Sequence, residues 1–334
     1  MEIFELGDFP LSTGHTLPGA QLSYKTQGTL NAAKDNAILF PHFLGGAPEA
    51  LEGWIGQGRA LDPTDYFIIM PGQFGNGVST SPSNAQAPFE RGAFPAVLHA
   101  DDVRAQHRLI TEKFGIEQLQ LVLGWSTGAL QTYEWAVNFP DVVKRAASIA
   151  GAPRPSPWTR LWLRTCIEEP LVSDPAWNSG FYTDARALQG GLRRQAHATA
   201  MTLPPQGFYR EGHERWRCLG FSSRDDFISR FWEAFWLPQD PGNLVLQSRK
   251  AQAADPARGG DLGEALSKIT ARMLVLAFTG DPMFPPDECA FDAQRIRQSN
   301  FREVQSDFGH LATFGLAQQD VQAVDGALRD LLNA

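Results

Sequence analysis

The chain has 334 residues, 43% of them hydrophobic, which predicts one large domain with an insertion and a substantial buried core. Its formal net charge of −8 argues against nucleic acid and anionic membranes as partners, because both select clustered basic residues. No apolar run approaches the length of a membrane-spanning helix, and three scattered cysteines indicate neither a disulfide framework nor a zinc motif.

Strand-like and helix-like segments alternate from about Gln21 to Ala152, and the pattern resumes near Ala271. This alternation predicts an α/β fold with a mostly parallel sheet and helices on both faces. The stretch between these two regions differs in composition: it contains six tryptophans, and prolines interrupt its helical patterns. We predict a core domain of residues 1–152 and 269–334, and an inserted helical cap of residues 153–268 that places an aromatic roof over the core.

The first loop of interest follows the predicted third strand, residues 37–41. It has the sequence HFLGG, residues 42–46, a His-X-X-Gly pattern rich in glycine. Such a loop can turn backbone N–H groups toward a ligand at the end of the strand. Whether these groups serve catalysis depends on a nucleophile nearby.

A serine flanked by glycines stands further along the chain, in the G-X-S-X-G pattern of residues 124–128. The apolar run 119–123 predicts a strand before it, and residues 129–138 predict a helix after it. Glycine tolerates the crowding of a tight strand-to-helix turn, which lifts the serine hydroxyl off the sheet edge. The pattern is common by chance in a chain with 31 glycines, so the flanking strand and helix support Ser126 as the nucleophile.

A serine hydroxyl is a weak nucleophile until a base removes its proton, and that base needs an orienting carboxylate. In one known arrangement both partners follow the serine in the chain. The apolar run 273–278 leads through a glycine turn to Asp281, and the run 301–306 leads into a loop that contains His310. We predict Asp281 as the orienting acid and His310 as the general base.

Other acids and histidines have simpler interpretations. Asp307, three residues before the histidine, is the alternative acid, although capping or solvating its own loop explains it as well. Asp287 follows two prolines and fits the first turn of a helix. The remaining histidines outside the HFLGG loop fit solvated or packed imidazoles. They are His15, His99, His107, His197 and His213.

The tetrahedral intermediate of acyl transfer needs two backbone N–H donors. Thr127, directly after the nucleophile, supplies one of them. The HFLGG loop supplies the other, and we predict Leu44, with Phe43 as the alternative because the pattern determines the register only loosely. His42 is predicted to brace this loop and not to act as a second base.

With these residues in place, the chain resembles the homoserine O-acetyltransferase-like branch of the α/β-hydrolases. The resemblance implies an α/β-hydrolase fold with a mostly parallel eight-stranded sheet, helices on both faces and an inserted helical cap through which dimers form. The segments that carry this resemblance are GWSTGALQ with the following EWA and FPD, HFLGG, residues 53–84, DPMFPPDE, which contains Asp281, and DPAWNSGFY at residues 174–182.

That family contains acyltransferases and esterases, and both use acyl-enzyme chemistry, so only the acceptor pocket distinguishes them. The resemblance implies that the transferases use a cap arginine to grip the carboxylate of the acceptor, a contact that a neutral side chain cannot replace. The register of this chain places Gln195 there, and a shift of one residue would place Arg194 there instead. We predict Phe43, Trp125 and Gln195 as substrate contacts.

These features predict a serine carboxylesterase that hydrolyses short-chain, acetyl-type esters. The alternative is an O-acyltransferase that moves an acetyl or succinyl group from CoA to homoserine or a similar hydroxyl compound, and a non-catalytic binding protein is a third. The esterase is expected to need no cofactor or metal, with acetyl-CoA a co-substrate only in the transferase. We expect a homodimer that binds a small-molecule ester and neither nucleic acid nor membrane. The acidic N-terminus lacks a signal-peptide pattern, which predicts a cytoplasmic enzyme.

Overall fold

Eight strands form one sheet in the computed structural model, which describes residues 1–212 and 214–334. His213, interpreted above as an ordinary imidazole, lies outside the described residues. The strands are β1 (Glu2–Pro10), β2 (Thr16–Gln27), β3 (Ala37–Leu39), β4 (Phe67–Pro71), β5 (Leu121–Trp125), β6 (Arg145–Ile149), β7 (Arg272–Phe278) and β8 (Ser299–Val304).

The order of the strands is β1-β2-β4-β3-β5-β6-β7-β8. Strands β3 to β8 run parallel to one another, whereas β2 is antiparallel to both β1 and β4. Every residue of β4 and β5 is buried, as expected for strands covered on both faces. The predicted mostly parallel eight-stranded sheet is confirmed. The sequence analysis did not predict the N-terminal strand β1, which lies at the edge of the sheet and buries only Leu6 and Phe9 of its nine residues.

Helices pack around this sheet, and the long segment of the chain between β6 and β7 is also helical. They are α1 (His99–Arg108), α2 (Thr127–Asn138), α3 (Pro157–Trp162), α4 (Glu169–Val172), α5 (Gln189–Thr202), α6 (Arg215–Cys218), α7 (Arg224–Phe227), α8 (Ala234–Trp236), α9 (Pro241–Gln252), α10 (Leu262–Ser267), α11 (Pro286–Ala293) and α12 (Gln318–Asn333). π-helical turns extend three of them, at Leu109–Lys113, Leu163–Glu168 and Ile228–Glu233. Among the described residues, no helix is long and apolar enough to cross a membrane.

Helices α3 to α10 all lie inside the range predicted as the cap, residues 153–268. Helix α9 is tied to the sheet-bearing part of the chain by a buried ion pair, in which Lys250 Nζ lies 2.6 Å from Asp102 Oδ2. The same ammonium donates to the carbonyl of Phe74 at 2.8 Å, in the loop after β4. A buried cation with both partners in place is satisfied, so this contact holds the inserted helices in one position over the sheet. The division into two domains itself stays a prediction.

The carboxyl ends of the parallel strands meet at one edge of the sheet. The HFLGG loop follows β3, Ser126 follows β5, Asp281 follows β7 and His310 follows β8. In open α/β sheets, ligands bind at this edge. The fold therefore brings four segments, separated by up to about 270 residues of sequence, to one place.

Candidate active site

Ser126 occupies the strained turn predicted for it. Its backbone has φ 54° and ψ −124°, a conformation that residues with a side chain rarely adopt. A Cβ at Gly124 would lie 2.4 Å from the backbone of Gly128, and a Cβ at Gly128 would lie 2.6 Å from the carbonyl oxygen of Pro41. Both glycines are therefore required by close backbone contacts, and the turn between β5 and α2 can exist only with them in place.

Ser126, His310 and Asp281 form a connected hydrogen-bonded array. His310 Nε2 lies 3.0 Å from Ser126 Oγ, and His310 Nδ1 lies 2.8 Å from Asp281 Oδ2. The second oxygen of Asp281 accepts the N–H groups of Met283 and Phe284, at 2.8 and 3.1 Å. An ionised carboxylate is acceptor-only, so its contact assigns the imidazole proton to Nδ1 and leaves Nε2 to accept the serine proton. This arrangement can activate a hydroxyl nucleophile.

Asp307, the alternative to Asp281 as the orienting acid, lies in a different environment. Asp307 is exposed and forms an ion pair with Arg215. Asp287 lies in the first turn of α11, as its position after two prolines indicated. Neither carboxylate is hydrogen-bonded to His310, whereas Asp281 is, so the geometry favours Asp281 for the orienting role.

The two predicted oxyanion donors lie side by side, and a side chain links them. The backbone N–H of Leu44 donates to the hydroxyl oxygen of Thr127 at 2.6 Å. Thr127 is the first residue of α2, so its own backbone N–H is one of the groups that the helix leaves without an internal partner. Phe43 contributes its ring to the same wall, where it packs against Phe314 with centroids 5.5 Å apart.

The buried side chain of His42 supports the HFLGG loop through hydrogen bonds. The side chain is 1% exposed, and its Nδ1 lies 3.0 Å from the carbonyl oxygen of Phe43 and 3.2 Å from Gln73 Nε2. Burial lowers the pKa of His42 to about 4, so the imidazole is neutral at physiological pH. This environment agrees with the bracing role predicted from the sequence.

Two glutamines of the inserted region hold Gly45 of the HFLGG loop: Gln247 lies in α9, and Gln239 lies in the turn between α8 and α9. Gly45 donates its N–H to Gln247 Oε1 and accepts from Gln239 Nε2, both at 3.0 Å. The other end of the Gln247 amide donates to the carbonyl of Gly75 at 2.8 Å. A Cβ on Gly45 would lie 2.8 Å from the ring of Trp236. Sequence reasoning missed both glutamines, since nothing in their local sequence indicates contact with a loop about 200 residues away.

A small cavity of about 50 Å³ lies over Ser126, with room for a few groups the size of a water molecule. Its walls are mostly aromatic and aliphatic, and three of the six tryptophans of the inserted region contribute to them. Among the residues that line it, His310 is the one titratable group. The lining residues are Phe43, Leu44, Ser126, Thr127, Leu130, Thr159, Trp162, Leu163, Ile167, Leu203, Trp232, Phe235, Trp236, Met283, Phe284, His310, Thr313 and Phe314.

Two predicted substrate contacts are absent from this lining. Trp125 is 1% exposed and packs in the core against Phe40 and Trp54, because the strand directs its ring away from the serine. Gln195 is fully buried in α5, which packs against the turn Ile228–Glu233. Its side-chain amide has no hydrogen-bond partner within the described ranges. The structure does not bring either side chain to the cavity.

Arg194, the alternative to Gln195, is also directed elsewhere. Its guanidinium donates to Asp174 at 2.9 Å and to the carbonyl of Pro170 at 3.1 Å, and more than half of the side chain is exposed. A cation engaged in this way at the surface does not line the cavity. The described residues thus provide no guanidinium or ammonium group over Ser126 for an acceptor carboxylate.

Comparison with known proteins places this geometry in a family. A family model described as the α/β hydrolase fold matches residues 36–315. An ethyl acetate hydrolase of Pseudomonas veronii is 42% identical, over 100% of this chain and 95% of that protein. A homoserine O-acetyltransferase of Trichormus variabilis is 32% identical, over 90% of this chain and 86% of that protein.

Solved structures agree with this placement. The structure of an acetylester hydrolase from Corynebacterium glutamicum is 37% identical and superposes with a TM-score of 0.96, covering 100% of this chain and 96% of that one. Together with the family model, these relatives show that the chain belongs to the α/β-hydrolase family, in the homoserine O-acetyltransferase-like group that the motifs of its sequence resemble.

Proposed function

We propose that the protein is a serine carboxylesterase that hydrolyses short-chain, acetyl-type esters through an acyl-serine intermediate. The observation that carries this proposal is the small apolar cavity over Ser126, in which His310 is the one titratable group among the described lining residues. A neutral ester fits such walls, whereas an amino-acid acceptor would bury a carboxylate and an ammonium without partners. The names of the relatives, ethyl acetate hydrolase and acetylester hydrolase, support the same substrate class.

In the proposed first half-reaction, His310 Nε2 removes the Ser126 proton as the serine oxygen attacks the ester carbonyl. Asp281 holds the imidazole in the required tautomer and stabilises its protonated form. The backbone N–H of Thr127 and the amide of Leu44 provide the donors for the oxyanion. The intermediate collapses to an acyl-serine, and His310 gives its proton to the departing alcohol.

In the second half-reaction, His310 takes a proton from water, and the resulting nucleophile attacks the acyl-serine carbonyl. Collapse of this intermediate releases the carboxylic acid and returns the proton to Ser126. We propose that neither a cofactor nor a metal takes part in these steps, since the array of side chains supplies the nucleophile, the base and the oxyanion donors.

The alternative is transfer of an acetyl or succinyl group from CoA to homoserine or a similar hydroxyl compound. This reaction needs a cation for the acceptor carboxylate, and the two candidate positions do not supply one at the cavity. Arg194 pairs with Asp174 at 2.9 Å, and Gln195 is neutral and buried. These placements favour water over an amino acid as the acceptor.

The test is a comparison of both reactions with one preparation of enzyme. Hydrolysis is followed on ethyl acetate and on p-nitrophenyl esters of increasing chain length, and transfer is followed as O-acetylhomoserine formed from acetyl-CoA and homoserine. We expect rapid hydrolysis of acetates, slower turnover of long acyl chains, and no O-acetylhomoserine. Ser126→Ala is the control for background hydrolysis. Efficient formation of O-acetylhomoserine would overturn the esterase proposal.

We also propose a cytoplasmic homodimer that assembles through the inserted helices. Four large apolar side chains of this region are exposed among the described residues of the single chain, namely Trp158 at 54%, Leu161 at 55%, Phe181 at 46% and Met201 at 74%. Light scattering during size-exclusion chromatography measures the mass, which we expect to be twice that of the chain. Leu161→Glu is expected to shift the protein toward the monomer, because it would bury a charge in the interface. Cell fractionation tests the location.

A further inference from the structure

The side chain of Thr127 stands between the two groups expected to bind the oxyanion. Its Oγ1 accepts the N–H of Leu44 at 2.6 Å, a short distance for a hydrogen bond between neutral groups. The residue is 5% exposed and lines the cavity together with Ser126 and His310. Because this oxygen lies where the Leu44 N–H points, a substrate oxygen would meet the threonine hydroxyl along that direction.

The proton of this hydroxyl is unused, and a comparison with other buried threonines makes this clear. A threonine hydroxyl has one proton to donate and two lone pairs that accept. Thr132, Thr159, Thr199 and Thr313 each donate to a backbone carbonyl, at 2.7 to 3.2 Å. Within the described parts of the chain, the Thr127 hydroxyl accepts from Leu44 but donates to no protein group. A buried donor without an acceptor is costly, which indicates that a ligand supplies one.

We propose that the Thr127 hydroxyl is a catalytic group that donates a hydrogen bond to the oxyanion. The inference rests on the acyl-serine chemistry proposed above and places a side-chain donor between the Leu44 amide and the oxyanion. As Ser126 Oγ bonds to the carbonyl carbon, its proton passes to His310 Nε2 and the π electron pair of the carbonyl moves to oxygen. Thr127 stabilises that negative oxygen without giving up its proton.

The Leu44 amide then acts through the hydroxyl. Its N–H withdraws electron density from Thr127 Oγ1, which makes the hydroxyl a stronger donor because linked hydrogen bonds polarise one another. The Thr127 backbone N–H, one residue after the nucleophile, reaches the oxyanion directly. The short Leu44–Thr127 contact is thus part of the resting geometry of the site and needs no rearrangement before the reaction.

The test compares two substitutions that differ in the hydroxyl. Thr127→Val keeps the shape of the side chain and the backbone N–H but removes the hydroxyl, whereas Thr127→Ser keeps the hydroxyl. With p-nitrophenyl acetate we expect kcat of the valine variant to fall roughly 10²- to 10³-fold with little change in KM. The serine variant is expected to stay within about fivefold of the wild type. Thr132→Val, also buried in α2, is the matched control and should retain wild-type turnover.

A thionoester separates direct contact with the oxyanion from support of the loop. Sulfur is a weak hydrogen-bond acceptor, so a donor aimed at the reacting oxygen matters less when sulfur replaces that oxygen. We expect Thr127→Val to slow the thionoester much less than the oxygen ester. The proposal would be overturned if Thr127→Val slowed hydrolysis of both esters equally. It would also be overturned if kcat of Thr127→Val lay within twofold of the wild type or above it, or if kcat of Thr127→Ser were as low as that of Thr127→Val.

A phosphonate keeps this test independent of the ester function. Phosphonylation of Ser126 by a p-nitrophenyl phosphonate develops the same kind of negative oxygen and requires no hydrolysis of a product. If the wild type labels but does not hydrolyse esters, the proposed function fails while the role of Thr127 is still measured. Slower labelling of Thr127→Val than of Thr127→Ser then supports the proposal, and equal rates overturn it.

Discussion

Asp281 Oδ2 lies 2.8 Å from His310 Nδ1, and the other oxygen of the carboxylate accepts two backbone N–H groups. These three contacts orient the carboxylate toward the imidazole and bury it, with 3% of the residue exposed. The carboxylate therefore favours the tautomer with its proton on Nδ1 and would stabilise the imidazolium of the proposed mechanism.

We expect Asp281→Asn to reduce kcat by roughly 10⁴-fold, because an amide can stabilise the wrong tautomer of His310. The matched control is Asp307→Asn, at the exposed carboxylate three residues before the histidine, which should retain nearly all activity. Steady-state hydrolysis of p-nitrophenyl acetate measures both. A large loss in Asp307→Asn and a small one in Asp281→Asn would reverse the assignment of the acid.

The second prediction concerns the support of the HFLGG loop, which carries a proposed oxyanion donor. Gln247→Leu removes the acceptor for Gly45 and the donor to Gly75, so the loop loses a contact that fixes its position. We expect kcat to fall roughly 10- to 100-fold, since a shift of about 1 Å in a positioned group has that effect. Circular dichroism and thermal melting test whether the variant is folded.

The control for this substitution lies on the same helix. Gln252→Leu also removes a glutamine of α9, but one whose partners are Glu168 and Ser248, outside the cavity lining. We expect wild-type kcat from it. If the two variants lose activity equally, general loosening of α9 explains the effect and the positioning role of Gln247 is wrong.

The third prediction uses the unpaired amide of Gln195. The side chain is fully buried, and neither end of its amide meets a partner among the described residues. Replacing it with leucine, of similar volume, removes the cost of burying polar atoms. We expect Gln195→Leu to raise the free energy of unfolding by about 1 kcal/mol and to leave KM for esters unchanged. Urea denaturation and ester kinetics measure the two quantities.

A bonded glutamine provides the contrast. Gln131 is equally buried, but it accepts from Gln106 at 2.7 Å and donates to the carbonyl of His42 at 3.3 Å. Gln131→Leu is expected to lower the free energy of unfolding by about 1 to 3 kcal/mol, because it leaves those partners unsatisfied. A marked rise in KM on Gln195→Leu would restore the substrate contact predicted from the sequence.

The fourth prediction concerns pH and His42. Burial lowers the pKa of His42 to about 4 in the folded state, against an ordinary value of 6.5 when the chain unfolds. Between these values the unfolded state binds a proton that the folded state does not. The contribution of His42 to stability is therefore constant above about pH 6.5 and is lost as the pH falls toward 4, by up to roughly 3 kcal/mol.

Urea denaturation at pH 7.5, 6.0 and 5.0 measures this effect. We expect the wild type to lose stability between pH 7.5 and 5.0 and His42→Gln to lose less. His15→Gln, at an exposed histidine, should leave the pH dependence unchanged. Parallel curves for the wild type and His42→Gln would mean that other groups, such as the buried His99, cause the loss.

Local patterns in the sequence were sufficient to locate most of the site. The glycines around Ser126 indicate the turn because the crowding that requires Gly124 comes from Gly128, four positions along the chain. The apolar runs before Asp281 and His310 indicate buried parallel strands, whose carboxyl ends meet at one edge of the sheet. The chain order of serine, acid and histidine then predicts which residues converge there.

Only the tertiary structure decided where the long side chains point. Arg194 and Gln195 are adjacent in α5, yet one reaches Asp174 at the surface and the other is buried. A change of one residue rotates a side chain by about 100° around a helix, so a small uncertainty in register changes its partner completely. The sequence pattern therefore could not determine whether either of these two side chains faces the cavity, the contact that would distinguish an acyltransferase from an esterase.

The sequence by itself therefore determined the fold class, the turn around Ser126 and the chain order of the catalytic candidates, because these depend on periodicity and on contacts between near neighbours. The tertiary structure decided that Gln247 holds Gly45 and that Thr127 accepts from Leu44. These contacts join residues 202 and 83 positions apart, and packing of the whole chain sets their geometry.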